Sequence, residues 1–327
     1  MTARPNRRLV DDGRRITSWQ PGWILVSGGP AFDRLVPPTA VLRRLTTGAT
    51  WAEGPVWRPD AGDVLWSDVR GDRVLRWEPH EPPSEFLEPS GFQNGHVLDL
   101  DGSVIACSHG SRGIERLGRD GVWTLLVDRY RGARLNSPND VVVKSDGTIW
   151  FTDPPYGILS DDEGTKAPSE IGACLVFRFD PVTGDLDAVT DALEHPNGLA
   201  FSPDESVLYV SDTSAAVGPF GGGNHHMLAF DVVGGRTLAN PRPFYVCDPG
   251  LADGFRVDTE GNIFTSARDG IHVLAPDGKQ LGRIPVPEVT SNCVFGGPDG
   301  TTLFITATTS LYAINIAARG ATWRPGR

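Results

Sequence analysis

Six residues with oxygen-bearing side chains recur along this chain, each at the head of the same short phrase. Glu53 opens Glu53-Gly54-Pro55-Val56-Trp57, Asn94 opens Asn94-Gly95-His96-Val97-Leu98, and Asn139 opens Asn139-Asp140-Val141-Val142-Val143. Asn197 opens Asn197-Gly198-Leu199-Ala200-Phe201, Asp253 opens Asp253-Gly254-Phe255-Arg256-Val257, and Asn292 opens Asn292-Cys293-Val294-Phe295. None of the six is apolar or basic. Two carboxylates and four amides gathered on one axis suit a hard divalent cation, which takes oxygen ligands at about 2.3–2.6 Å. Ca²⁺ fits such a set first, and Mg²⁺, Mn²⁺ or Zn²⁺ can also occupy oxygen-rich sites. Turn formation competes with this reading, because Asn and Asp before Gly accept hydrogen bonds from their own backbone. It accounts for any single copy, yet it does not ask for a Glu before Gly-Pro. The pairs Asp101-Gly102 and Asp146-Gly147 lie between apolar runs and are read as hairpin turns.

The elements that must position these residues are strands. Apolar residues come in β-branched and aromatic bursts of a few residues bounded by Gly, Pro, Asp and Asn, with almost no helical periodicity. The copies begin roughly 40 to 58 residues apart, a period typical of propeller blades. Each has room for four strands; in the third they are read at 140–144, 148–152, 173–180 and 186–190. The expected fold is therefore all-β, a six-bladed β-propeller with four-stranded blades. The last copy lacks an outer strand after 311–316, and 40–47 is apolar enough to supply it, so an N-terminal strand is expected to close the ring and remove its open edge. That divides the chain into an N-terminal extension, 1–39, draped outside or partly disordered, and a single propeller domain, 40–327. Polar stretches at 159–171 and 214–226 read as loop insertions. In a propeller the first strand of each blade lines the central channel, so the six heads converge on one mouth of it.

The bulk properties narrow the partners. A net charge of −11 argues against nucleic-acid binding. The Arg-rich start carries no apolar segment behind it, and no run is long enough to cross a membrane as a helix, which points to a cytoplasmic protein. Cys107, Cys174, Cys247 and Cys293 are widely spaced and read as free thiols. No Gly-x-Ser-x-Gly elbow, phosphate-binding loop or HExxH motif is present.

Four stretches carry a resemblance: Trp51-Ala52-Glu53-Gly54-Pro55-Val56-Trp57, Ser137-Pro138-Asn139-Asp140-Val141, Pro196-Asn197-Gly198-Leu199-Ala200-Phe201-Ser202-Pro203-Asp204, and Ala252-Asp253-Gly254. In order and spacing they resemble the SMP-30/gluconolactonase/LRE family, in particular its bacterial gluconolactonase-like branch, over roughly residues 40 to 316. The resemblance implies a six-bladed propeller with one divalent metal in the channel and hydrolysis of a small lactone, a sugar lactone foremost. It implies Glu53, Asn139, Asn197 and Asp253 as metal ligands, with Asp253 also the general base. Some animal members hold the sugar with an Arg two residues before the third-blade Asn. Here that place is Ser137, so that contact is missing.

Other residues could share the chemistry. His96 follows Asn94 by two, hence on the same strand face, and its ordinary pKa suits proton transfer near neutrality. It is a second candidate base, with a buried core histidine as the alternative. Asn94, His109 and Tyr156 are candidate substrate contacts at the pocket rim. The adjacent His225 and His226 point to opposite faces of any strand and are read as loop residues. Two rival functions stand beside the sugar lactonase: hydrolysis of another ester or an organophosphate in the same site, and a non-catalytic metabolite-binding propeller.

Overall fold

The computed structural model of the chain describes residues 23–24, 28–217, 222–324 and 326. Six antiparallel sheets form the blades of a propeller. Blade 1 comprises Ala52–Arg58, Asp63–Asp68, Arg73–Trp77 and Ser84–Leu87. Blade 2 comprises Gln93–Leu98, Val104–Ser108, Gly113–Leu117 and Trp123–Val127. Blade 3 comprises Val141–Val143, Ile149–Asp153, Leu175–Phe179 and Leu186–Thr190. Blade 4 comprises Pro196–Phe201, Val207–Asp212, His226–Val233 and Thr237–Val246. Blade 5 comprises Phe255–Val257, Ile263–Ala267, Gly270–Leu274 and Gln280–Pro285.

Blade 6 is built from both ends of the chain. Thr290–Gly296, Thr302–Ala307 and Ser310–Asn315 come from the C-terminal side, and Val41–Thr47 pairs antiparallel with the last of them as the fourth strand. The expected closure by an N-terminal strand is thus present. Trp23–Ile24 adds a short fifth strand outside it. A helix, Pro30–Leu35, buries Phe32 and Leu35 in the cluster formed by blades 5 and 6, so the stretch before residue 40 contributes to the core.

The second strands are buried along nearly their whole length, as they must be when each sheet is covered on both faces by its neighbours. Trp66 and Trp150 fill the spaces between blades. The four cysteines are free, with Cys107, Cys247 and Cys293 buried. Among the described residues no helix is long and apolar enough to cross a membrane.

Candidate active site

The heads of the six repeats do not sit in regular strand pleats. In blades 1, 2 and 4 the pairing of the first two strands shifts register between Glu53 and Val56, between Gln93 and His96, and between Pro196 and Leu199. Each is a bulge that sets two residues against one on the partner strand. A bulge bends its strand and re-aims the side chain beside it. In blades 3 and 5 regular pairing begins only at Val141 and Phe255, leaving Asn139 and Asp253 just ahead of it.

Neighbouring blades then lock these heads together through the backbone. Gly95 N donates to Asn139 O (2.9 Å) and Gly198 N to Asp253 O (2.9 Å). Gly54, at φ +50, and Gly198 pass so near the next blade that a Cβ would run into the carbonyls of Asn94 and Asp253, respectively. Hydroxyls complete the ring, three from second strands and one, Ser291, from the first strand of blade 6. Ser67 donates to Asn94 O (2.9 Å), Thr152 to Asn197 O (2.7 Å), Ser211 to Asp253 O (3.2 Å) and Ser291 to Ala52 O (2.6 Å).

An aspartate follows the hydroxyl in blades 1, 3 and 4, and it clamps the loop entering the strand that bears the site residue. Asp68 accepts Thr50 N and Trp51 N (2.7 and 2.9 Å), Asp153 accepts Asn136 N and Ser137 N (2.8 and 2.9 Å), and Asp212 accepts Glu194 N and His195 N (2.7 and 3.2 Å). Sequence reasoning missed this role. The signal was available as Ser67-Asp68, Thr152-Asp153 and Ser211-Asp212, one hydroxyl–carboxylate pair at the end of each of these second strands.

Glu53, Asn94, Asn139, Asn197 and Asp253 line one cavity of about 560 Å³ at the upper end of the channel, and Tyr156 lines it with them. Asn292 stands behind Glu53 and donates its Nδ2 to Glu53 Oε2 at 3.4 Å. The two polar insertions rim the opening, the first supplying Ser160, Asp162 and Glu163, the second Ala216 and Val217. Residues 218–221 of the second lie outside the described residues. The remaining rim is largely apolar, with Trp51, Leu159, Leu251 and Val289, while Arg70 lies over the Trp51 ring and pairs with Glu163 (2.9 Å).

Charge at the floor of this cavity is unbalanced. Burial, followed by repulsion from Asp253, holds the Glu53 carboxyl well above the ordinary carboxylate range. Burial raises Asp253 to about 7, with hydrogen bonds from Glu53 and Asn197 opposing the rise. Two carboxyl groups this close share a proton unless a cation compensates them. Asn139 is 6 % exposed, and what is exposed faces the cavity, so its side-chain amide is open to a ligand there. Among the described residues no three or more His, Cys, Asp and Glu side chains form a cluster fit to hold a metal. A cation here would be held by a mixed set of carboxylates and amides, a donor set suited to a hard ion.

The remaining candidates fall into different places. His96 does not line this cavity. It lies 1 % exposed below the floor, lining a separate cavity at the opposite end of the channel, with Nδ1 2.8 Å from Gly54 O and Nε2 3.2 Å from Gln93 Oε1. Burial lowers its pKa to about 4. The bulge at Asn94-Gly95 breaks the two-residue alternation that would have set His96 beside Asn94. His109 is also enclosed, behind the wall. Burial lowers its pKa, so the ring is neutral; Nδ1–H donates to Glu163 O (2.7 Å), and Nε2 accepts from Asn94 Nδ2 (3.4 Å). This orients the Asn94 amide without touching the cavity. Tyr156 places its hydroxyl 2.5 Å from Thr213 Oγ1 and 3.1 Å from Thr213 O, and Thr213 Oγ1 in turn accepts Asn197 Nδ2 (2.9 Å). Burial raises the Tyr156 pKa, so it stays a neutral phenol. His225 Nδ1–H donates to Cys247 O (2.7 Å), away from the cavity lining.

Residues 51–309 match the SMP-30/Gluconolactonase/LRE-like region, a stretch that spans all six repeat heads. The chain belongs to this family. It is 36% identical to a gluconolactonase of Zymomonas mobilis, covering 89% of this chain and 85% of that protein. It is 31% identical to a pentonolactonase of Haloferax volcanii, covering 81% and 84%. Among solved structures it is similar to a Xanthomonas campestris gluconolactonase, with a TM-score of 0.84 and 38% identity over 93% of this chain and 99% of that one. A calcium-binding regucalcin from Agrobacterium tumefaciens shares the fold, at a TM-score of 0.68 and 20% identity over 86% and 96%.

Proposed function

We propose that this chain hydrolyses a small lactone, a sugar lactone foremost, in the upper channel cavity. It is an enzyme of the gluconolactonase-like lactonase class, as its relatives of matching length are. Water adds to the lactone carbonyl, the ring C–O bond breaks, and the ring oxygen leaves as a hydroxyl, giving the open hydroxy acid. Asp253 takes the proton from the attacking water, since it is the less enclosed of the two carboxylates at the cavity floor. Glu53, Asn139, Asn197 and Asp253 would hold one divalent cation, Ca²⁺ foremost. When bound, such an ion polarises a carbonyl and stabilises the charge that develops on its oxygen. Asn94, its Nδ2 occupied by His109, turns its carbonyl oxygen toward the cavity to accept a substrate hydroxyl. The apolar rim of Trp51, Leu159 and Val289 covers the carbon face of the ring and restricts water to one approach.

The observation that carries this reading is the meeting of Glu53, Asn139, Asn197 and Asp253 in one cavity. The test joins metal analysis of the purified protein to proton release from a panel of sugar lactones. Chelation should abolish turnover reversibly, and Asp253→Ala irreversibly. Full activity after exhaustive chelation would refute the role of the cation, and no cleavage of any lactone would refute the reaction.

A further inference from the structure

The repeat is broken at two positions, and the two breaks meet. The residue after the head is Gly54, Gly95, Gly198 and Gly254 in four copies and Cys293 in the sixth, yet it is Asp140 in the third. The residue three after the head is Val56, Val97, Val142, Ala200 and Phe295, yet it is Arg256 in the fifth. Arg256 Nη1 lies 3.3 Å from Asp140 Oδ2, joining blades 3 and 5, which are not neighbours in the ring. Their side chains are 10% and 2% exposed. Asp140 Oδ1 accepts Val141 N (2.9 Å), its own N–H reaches Thr152 Oγ1 (3.2 Å), and Arg256 Nη1 also donates to Phe255 O (2.7 Å). Arg256 Nη2 has no partner, and the residue lines the lower cavity, on the far side of the channel from the site.

Stability alone does not explain such a pair, because a buried ion pair usually holds a fold together no better than apolar residues of similar size. Position and charge do. Asp140 directly follows Asn139, and Arg256 stands three residues after Asp253, so the pair ties together two of the residues that would hold the ion. Glu53, Asp253 and Asp140 carry three negative charges and Arg256 one positive, a balance that a divalent cation completes.

We propose that Asp140 and Arg256 are a counter-charge pair under the cation site that matches its net charge to a divalent ion. This rests on the cation reading given above. The test is calorimetric titration of Ca²⁺ into the full-length chain stripped with chelator. Asp140→Asn removes a negative charge and leaves Arg256 facing the site, so affinity should fall about tenfold or more. Arg256→Met removes the positive charge, so affinity should rise. The double variant Asp140→Asn/Arg256→Met should return to within a few-fold of the parent, a non-additivity expected of contacting residues. A scaffold role without charge matching would weaken binding in both single variants, and that result overturns the proposal. If Arg256→Met does not fold, Asp140→Glu replaces it: retained affinity there, against loss in Asp140→Asn, supports the pair, and equal losses overturn it. A parent protein that binds none of Ca²⁺, Mg²⁺, Mn²⁺ and Zn²⁺ fails the cation reading itself, a result distinct from equal losses in the variants.

Discussion

Replacing Asp212 by alanine should damage stability and turnover together, although Asp212 belongs to neither the proposed ligand set nor the cavity wall. Its carboxylate is 1% exposed and accepts Glu194 N (2.7 Å), His195 N (3.2 Å), Ser214 N (3.0 Å) and Asn224 Nδ2 (3.1 Å). Each bond to a charged acceptor contributes about 1.5–3 kcal/mol. Glu194 is exposed, so water recovers part of the loss there. The other three bonds, taken at the lower figure, give a net cost of about 4.5 kcal/mol, or roughly 6 °C in Tm for a domain of this size. The loop so released leads through Pro196 into Asn197, and a displacement of about 1 Å in a reacting group can cost on the order of 10²-fold in rate. The pH dependence has a definite sign. Burial raises the Asp212 pKa, but the backbone donors outweigh it and hold the pKa below its ordinary value of 3.8. A depressed native pKa contributes stability that is present above 3.8 and lost as pH falls through the native value. The gap between parent and variant should therefore be full at neutral pH and close in acid. Thermal melts across pH and initial rates of proton release check both halves. Arg242→Ala, an outer-strand change at a half-exposed ion pair with Asp231, is the control and should do little. A variant at Asp212 with Tm within about 1 °C of the parent and kcat within about twofold would refute the clamp.

Three more changes probe the same architecture. Gly198→Ala should lower both Tm and kcat, because its Cβ meets the Asp253 carbonyl, and a packing strain of about 1–3 kcal/mol is expected. Tyr156→Phe removes the hydroxyl bonded to Thr213 while keeping the ring, so we expect a loss of about 1 kcal/mol in stability and a larger effect on KM than on Tm, read by steady-state kinetics. Deleting the chain through Thr47 strips Ser310–Asn315 of its partner strand and opens the ring, and size-exclusion chromatography should show aggregates in place of the parent species.

Much of the site was legible because its signals are local. A head with an oxygen side chain, a β-branched run and a turn can each be read within a dozen residues, and six copies of that phrase require closure into a propeller. The expectation for Val41–Thr47 followed from simple counting, since a four-stranded blade left with three strands needs a fourth. The expectation for His96 rested on strict strand alternation and met a bulge, which depends on how two strands pair and leaves no mark on the periodicity of one. The clamps at Asp68, Asp153 and Asp212 were visible as residue pairs but not as contacts, because each acts on a loop 16 to 18 residues earlier in the chain.

The sequence by itself therefore determined the repeat, the all-β class, the closing strand and the oxygen-bearing character of the residues that meet at the channel mouth. These depend on short-range alternation and on turn chemistry, which neighbouring residues specify. Only the tertiary structure decided which of those residues share the cavity, that Asn292 and His109 stand behind it, that His96 lies beneath it, and that Asp140 reaches Arg256 across 116 residues of chain. Such contacts arise from the bulges, twist and register of separate sheets, and those are set by how the blades pack on one another around the axis.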